Sequence, residues 1–73
     1  MNIIVESIIE THVNIHIDQE ITPEMLNRLR EVRGVSWVGS LYCKYCITVH
    51  IGKEFDKETV LLNCQAELIK LGR

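Results

Sequence analysis

Thr11-His12-Val13-Asn14-Ile15-His16-Ile17-Asp18 alternates between polar and β-branched residues without a slip. In an extended chain successive side chains point to opposite faces, so Val13, Ile15 and Ile17 share one side while His12, Asn14, His16 and Asp18 share the other. Period two with an apolar face predicts a strand over 11–18, half buried and half open. A second run, Tyr45 to Ile51, has the same grammar: Ile47, Val49 and Ile51 fall on one face and Cys46, Thr48 and His50 on the other. Two such strands side by side would make one apolar sheet face and one face rich in imidazole and thiol.

Between them the period changes. Thr22 is a good N-cap, and Pro23 suits the first helical turn, where its missing N–H costs nothing. Glu24 stands at the positive end of the helix dipole. Met25, Leu26, Leu29 and Val32 then recur at helical spacing, and Gly34 is placed as the left-handed stop, which predicts a helix over Pro23–Arg33. Val35 to Leu41 reads as a further strand, with Tyr42-Cys43-Lys44 as the turn. Asp56 is an N-cap with Glu58 in the first turn. Val60, Leu61, Cys64, Leu68 and Leu71 form a core stripe, and Gly72 closes this last helix. Leu62, Ala66 and Ile69 widen its apolar arc; they offer a self-association seam or a surface for the N-terminal segment to cover. The apolar, β-branched start, Met1 to Ile9, either extends the first strand or hairpins against it.

The order is that of a split βαβ unit followed by a helix: α+β, with an antiparallel sheet and two helices on one face. A complete ferredoxin-like fold has one more strand beside the first. We expect Asn2–Ile8 to take that place, antiparallel to Thr11–Asp18. The 73 residues make a single domain.

Composition removes several function classes. Net charge is −2, from 8 Lys+Arg against 10 Asp+Glu. That is too little positive charge for electrostatic capture of nucleic acid and too little negative charge for a nucleic-acid mimic. Arg28, Arg30 and Arg33 read as a solvated helix face balanced by Glu24 and Glu31. No apolar run approaches the ~18 residues that span a bilayer. Met1-Asn2-Ile3-Ile4-Val5-Glu6 lacks the basic start of a secretory signal. Three cysteines, an odd count, point to a reducing, cytoplasmic setting with free or metal-bound thiols. There is no Gly-rich phosphate loop, nucleophile elbow or paired-carboxylate motif, so no enzyme is expected.

Thr22 to Gly72 resembles a heavy-metal-associated domain. The shared features are a helix ending in Gly34-Val35, the strand Ser36-Trp37-Val38, a hairpin, the strand Ile47-Thr48-Val49, Phe55-Asp56 opening the second helix, and Leu71-Gly72 closing it. The resemblance implies the fold. That family holds its metal with a Cys-x-x-Cys pair before the first helix; here that loop is Asp18-Gln19-Glu20-Ile21-Thr22, without a cysteine, so copper-type chemistry does not carry over.

Two constellations remain. Cys43-Lys44-Tyr45-Cys46 is a Cys-x-x-Cys in a turn: half a zinc site, a redox pair, a transient disulfide, or two ordinary thiols. The second depends on pairing. If 11–18 and 45–51 run antiparallel with His12 opposite His50 and His16 opposite Cys46, then His12, His16, Cys46 and His50 share the open face, close enough to bind zinc or nickel; otherwise they are simply polar-face residues. Trp37 has two registers. With Val38 facing the core, Trp37 and Leu41 join the open face; the opposite register buries Trp37. Exposed aromatic and aliphatic groups together mark contact surfaces. An RNA-binding sheet needs aromatics on its central strands, where His12, Asn14, Thr48 and His50 stand instead.

The expected function is therefore a non-catalytic protein-interaction or regulatory module: an adaptor, a regulatory subunit or a small inhibitor. It would self-associate as a homodimer or bind a larger protein through the open sheet face or edge, using Trp37, Leu41, His12, Asn14 and Thr48 and no cofactor. The alternative is a metal-binding protein, with zinc on His12, His16, Cys46 and His50.

Overall fold

The computed structural model describes residues 1–40 and 43–72, with Ser7 described by its backbone alone. The elements run β1 (Ile3–Ile9), β2 (His12–Ile17), α1 (Pro23–Arg30), β3 (Val35–Gly39), β4 (Cys46–Ile51) and α2 (Lys57–Leu71). One sheet carries the strands in the order β1-β2-β4-β3. β4 lies between β2 and β3 and is antiparallel to both, while β1 pairs antiparallel with β2 on its other side. The apolar start of the chain is thus a separate strand, hairpinned against the alternating stretch as expected.

Alternation becomes packing directly. Val13, Ile15 and Ile17 of β2 and Ile47, Val49 and Ile51 of β4 are each 2% exposed or less. Val38 of β3 joins them from the same face. Met25 and Leu29 of α1, Val32 just after it, and Val60, Cys64 and Leu68 of α2 close the core against this face. Burial of each large aliphatic side chain contributes about 1.5–3 kcal/mol, and this one layer is the main source of stability in so small a chain.

Local chemistry sets the ends. The Thr22 hydroxyl accepts from the Met25 N–H at 3.3 Å, with Pro23 in the first turn of α1. Asp56 caps α2 by accepting from the Thr59 N–H and hydroxyl at 3.1 and 2.7 Å, which holds its carboxyl below the usual range. Arg33 was expected to end the first helix, but α1 stops at Arg30. The Glu31 and Val32 amides bond back only three residues, to the Arg28 and Leu29 carbonyls, tightening the last turn. Gly34 then takes φ +98°, and a Cβ there would stand 2.6 Å from a Val60 methyl and 3.0 Å from the Phe55 ring. Glycine is required at this point for both its backbone freedom and its missing side chain.

Two β-bulges decide which side chains face outward. The β1–β2 register shifts between Val5 and Ser7, and the β3–β4 register shifts between Val35 and Trp37. Without the second bulge Val35 and Trp37 would share a face. With it, Val35 and Val38 both pack on the core and Trp37 turns to the other side. The register with Val38 inward is the one adopted. The N-terminal segment does not lie over the outer side of α2: Leu62 and Ile69 remain exposed, while Met1 reaches Gly72 at the end of that helix. No helix among the described residues is long and apolar enough to cross a membrane.

Candidate functional site

Both helices pack on one face of the sheet, and the opposite face carries the chemistry-bearing residues in cross-strand rows. The first row runs through all four strands: Ile9 pairs with His12, His12 with His50, and His50 with Trp37. The His12 and His50 rings meet edge to face with centroids 3.9 Å apart. The Trp37 ring lies 4.8 Å from His50 and runs back over Gly39, where a Cβ would come within 2.5 Å of the indole. Glycine at 39 thus opens the bed in which the indole lies. Ile9 at 63% and Trp37 at 40% exposure stand at the two ends of the row. Burial and the neighbouring His12 hold the His50 imidazole below its ordinary pKa.

The middle row is a polar tie. The Thr48 hydroxyl donates to Asn14 Oδ1 at 2.8 Å, and Thr48 is buried although it faces away from the core. Such a bond fixes the registry of the two central strands.

The third row gathers at the end of β2 and the start of β4. His16 is paired with Cys46, and the Cys46 Sγ lies 3.6 Å from His16 Nδ1. Cys43 joins them: the ligand atoms of His16, Cys43 and Cys46 all lie within 4.8 Å of one another. Glu6, at the β1 bulge, puts Oε1 2.9 Å from the same Nδ1. The Tyr45 ring stacks on the imidazole at 6.3 Å, and the Tyr45 N–H donates to Cys43 Sγ at 3.4 Å. The turn bearing both thiols is anchored. The Ile17 and Ile21 amides donate to the Tyr45 and Lys44 carbonyls at 2.9 and 2.7 Å, and the Ser40 hydroxyl contacts the Cys43 and Cys46 carbonyls. A hydrogen bond to Cys43, partial burial and the negative field of Cys43 and Glu6 push the Cys46 thiol up to about 11. Cys64 is a different kind of thiol, sealed in the core, with burial and Glu67 pushing it up to about 11.

The sequence-derived ligand set His12, His16, Cys46 and His50 is therefore divided. His16 and Cys46 converge with Cys43, while His12 pairs with His50 one row beyond Asn14 and Thr48. The cause is the four-residue separation of His12 from His16 along β2, about 13 Å at the rise of a strand, which is too long for one ion to bridge both pairs. Of the expected contact residues, His12, Asn14, Thr48 and Trp37 share the open face, and Leu41 lies outside the described residues, as does Tyr42 of the expected turn. The three arginines do not form one free patch: Arg28 faces Glu67 at 3.8 Å, Arg30 donates to Asn27 at 2.6 Å, and Arg33 lies over the Phe55 ring at 5.9 Å.

Sequence reasoning missed Glu6, Ile9 and Tyr45 as members of this face. For Cys43 the signal was present: its spacing from Cys46, joined to the His16–Cys46 pairing, puts three ligands together. For Glu6 the one signal is the alternation that sets it, with Ile4, on the side opposite Ile3 and Val5. The residues 18–22, where the heavy-metal-associated family carries its thiol pair, do not fit such a site here. No protein-family model matches this chain, and no curated protein is detectably similar to it.

Proposed function

We propose that this protein is a small, non-catalytic interaction module of ferredoxin-like architecture, with β1 in the place of the final strand, and that its open sheet face docks against a second copy of itself. The supporting observation is the Ile9–His12–His50–Trp37 row: a face left uncovered by either helix, apolar at both ends and imidazole-lined in the middle. The row contains no Lys, Arg, Asp or Glu, which disfavours nucleic acid and suits a neutral partner surface. It is also matched to itself. A two-fold axis parallel to the strands between β2 and β4 reverses the row, bringing Trp37 of one copy over Ile9 of the other and His50 over His12.

Size sets the strength of this contact. Four strands about 4.8 Å apart and about six residues long give a footprint of roughly 400 Å². A standard interface covers about 800 Å² per partner, so the dimer is expected to be weak and concentration-dependent. Light scattering on the eluting protein over a hundredfold dilution tests this. The expected result is a dimer at the high end that Trp37→Glu and Ile9→Glu each abolish and Leu62→Glu, on α2, leaves intact. A monomer throughout, or loss of the dimer only with Leu62→Glu, would remove the proposal.

A further inference from the structure

We propose that His16, Cys43 and Cys46 form a site for a zinc-class divalent cation, with Glu6, now paired with the same imidazole, turning in as the fourth ligand to clip the β1 edge to the β3–β4 turn. This goes beyond the docking role of the open face and does not depend on it.

The donor set is the first argument. Two thiols, an imidazole nitrogen and a carboxylate are ligand types that tetrahedral zinc takes, and Cys43-Lys44-Tyr45-Cys46 has the spacing of a chelating turn. Distances are the second. Zn–S of about 2.3 Å and Zn–N of about 2.0–2.1 Å place the two donors of a tetrahedron about 3.6 Å apart. The Cys46 Sγ to His16 Nδ1 distance is 3.6 Å. Glu6 Oε1 stands 2.9 Å from that nitrogen, a separation that opens by a few tenths of an ångström when one ion takes both as ligands. Support from the surrounding residues is the third. The Tyr45 N–H already points at Cys43 Sγ, the Tyr45 ring lies against the imidazole, and backbone bonds from Ile17 and Ile21 hold the turn in place. Outer contacts of this kind orient ligands and tune their basicity.

The reaction balances simply. The cation takes two thiols as thiolates and releases two protons to solvent. The imidazole binds through the Nδ1 lone pair, with its ring proton on Nε2. Glu6 binds through a carboxylate oxygen. One ion then joins the bulge of β1, the end of β2, the turn after β3 and the start of β4, stitching one end of the sheet across its whole width.

Cobalt titration of the reduced full-length chain tests the site without any activity assay. Wild type should bind one equivalent with a thiolate-to-cobalt charge-transfer band and the intense visible bands of a tetrahedral ion, and zinc should displace it. Cys43→Ser, Cys46→Ser and His16→Gln should each weaken binding by at least the roughly 10–100-fold that follows loss of an outer partner. His50→Gln should change nothing. Cys43 is exposed, so amide spectra of apo Cys43→Ser should match wild type, separating lost ligation from lost folding. Weak or octahedral cobalt binding by wild type, or an undiminished band in Cys46→Ser, would overturn the site. A Glu6→Gln variant with wild-type affinity and spectrum would overturn the role of Glu6 as the fourth ligand.

Discussion

The two faces of the central strand pair are built from alternate residues of the same two strands, yet they have opposite fates. On one, Val13, Ile15, Ile17, Ile47, Val49 and Ile51 are shut off from water by α1 and α2. On the other, His12, Asn14, His16, Cys46, Thr48 and His50 face a surface that neither helix covers, with Trp37 and Ile9 at its margins. The first face makes the protein fold. The second lies outside that core, so substitutions on it are expected to leave the fold standing.

The sharpest way to break this contrast is to truncate both faces at neighbouring positions. Ile15→Ala should cost about 2–5 kcal/mol by removing buried methyls and leaving a cavity. A chain of this length has roughly 4–11 kcal/mol in total, so the variant should sit near its unfolding transition at 37 °C. Denaturant melts should show His16→Ala, the next residue on the opposite face, losing about 1 kcal/mol or less. Equal losses would mean that the open face is also structural.

Acid probes the contrast less severely. Because His50 is held below its ordinary value of 6.5, the folded state binds fewer protons than the unfolded chain between the two values. Stability contributed by its neutral form should be fully present above pH 6.5 and decline as pH falls toward the folded value. His50→Gln should flatten that decline in melts between pH 7 and 5. A slope unchanged by the substitution would contradict the assignment. Below pH 4 a second loss is expected as Asp56, held low by Thr59, becomes protonated and releases the start of α2. Asp56→Asn should blunt it.

The smallest effect lies at the β1–β2 turn, where Glu10 takes φ +53°. Glu10→Gly removes the left-handed penalty on a side-chain-bearing residue and should raise stability by about 0.5–1 kcal/mol. A loss of that size would show that the glutamate side chain has a role in the turn.

Much of the fold could be read from the sequence because it rests on periods. The alternation in 11–18 and 45–51 named both faces and excluded one-residue slips, and the register with His12 against His50 and His16 against Cys46, one of those that keep the isoleucines inward, is the one adopted. Thr22-Pro23 and Asp56 marked helix starts through cap chemistry. The failures share a cause. Bulges at Glu6 and Ser36 lie in edge strands, where one extra polar residue leaves no mark on the hydrophobic pattern, yet they decide where Ile9 and Trp37 point. Glu31 and Arg33 are good helix formers, yet α1 ends at Arg30 and its last turn tightens ahead of Gly34, which packs closely on Phe55 and Val60, residues far along the chain. Grouping His12 and His50 with His16 and Cys46 treated a face as a point and ignored the rise along the strand.

The central claim is that the uncovered sheet face is where a second copy docks. A dilution series of amide spectra tests it most directly. Resonances of Ile9, His12, Trp37 and His50 should move together with concentration while those of Leu62 and Ile69 stay fixed. Shifts confined to α2, or none up to millimolar protein, would contradict it.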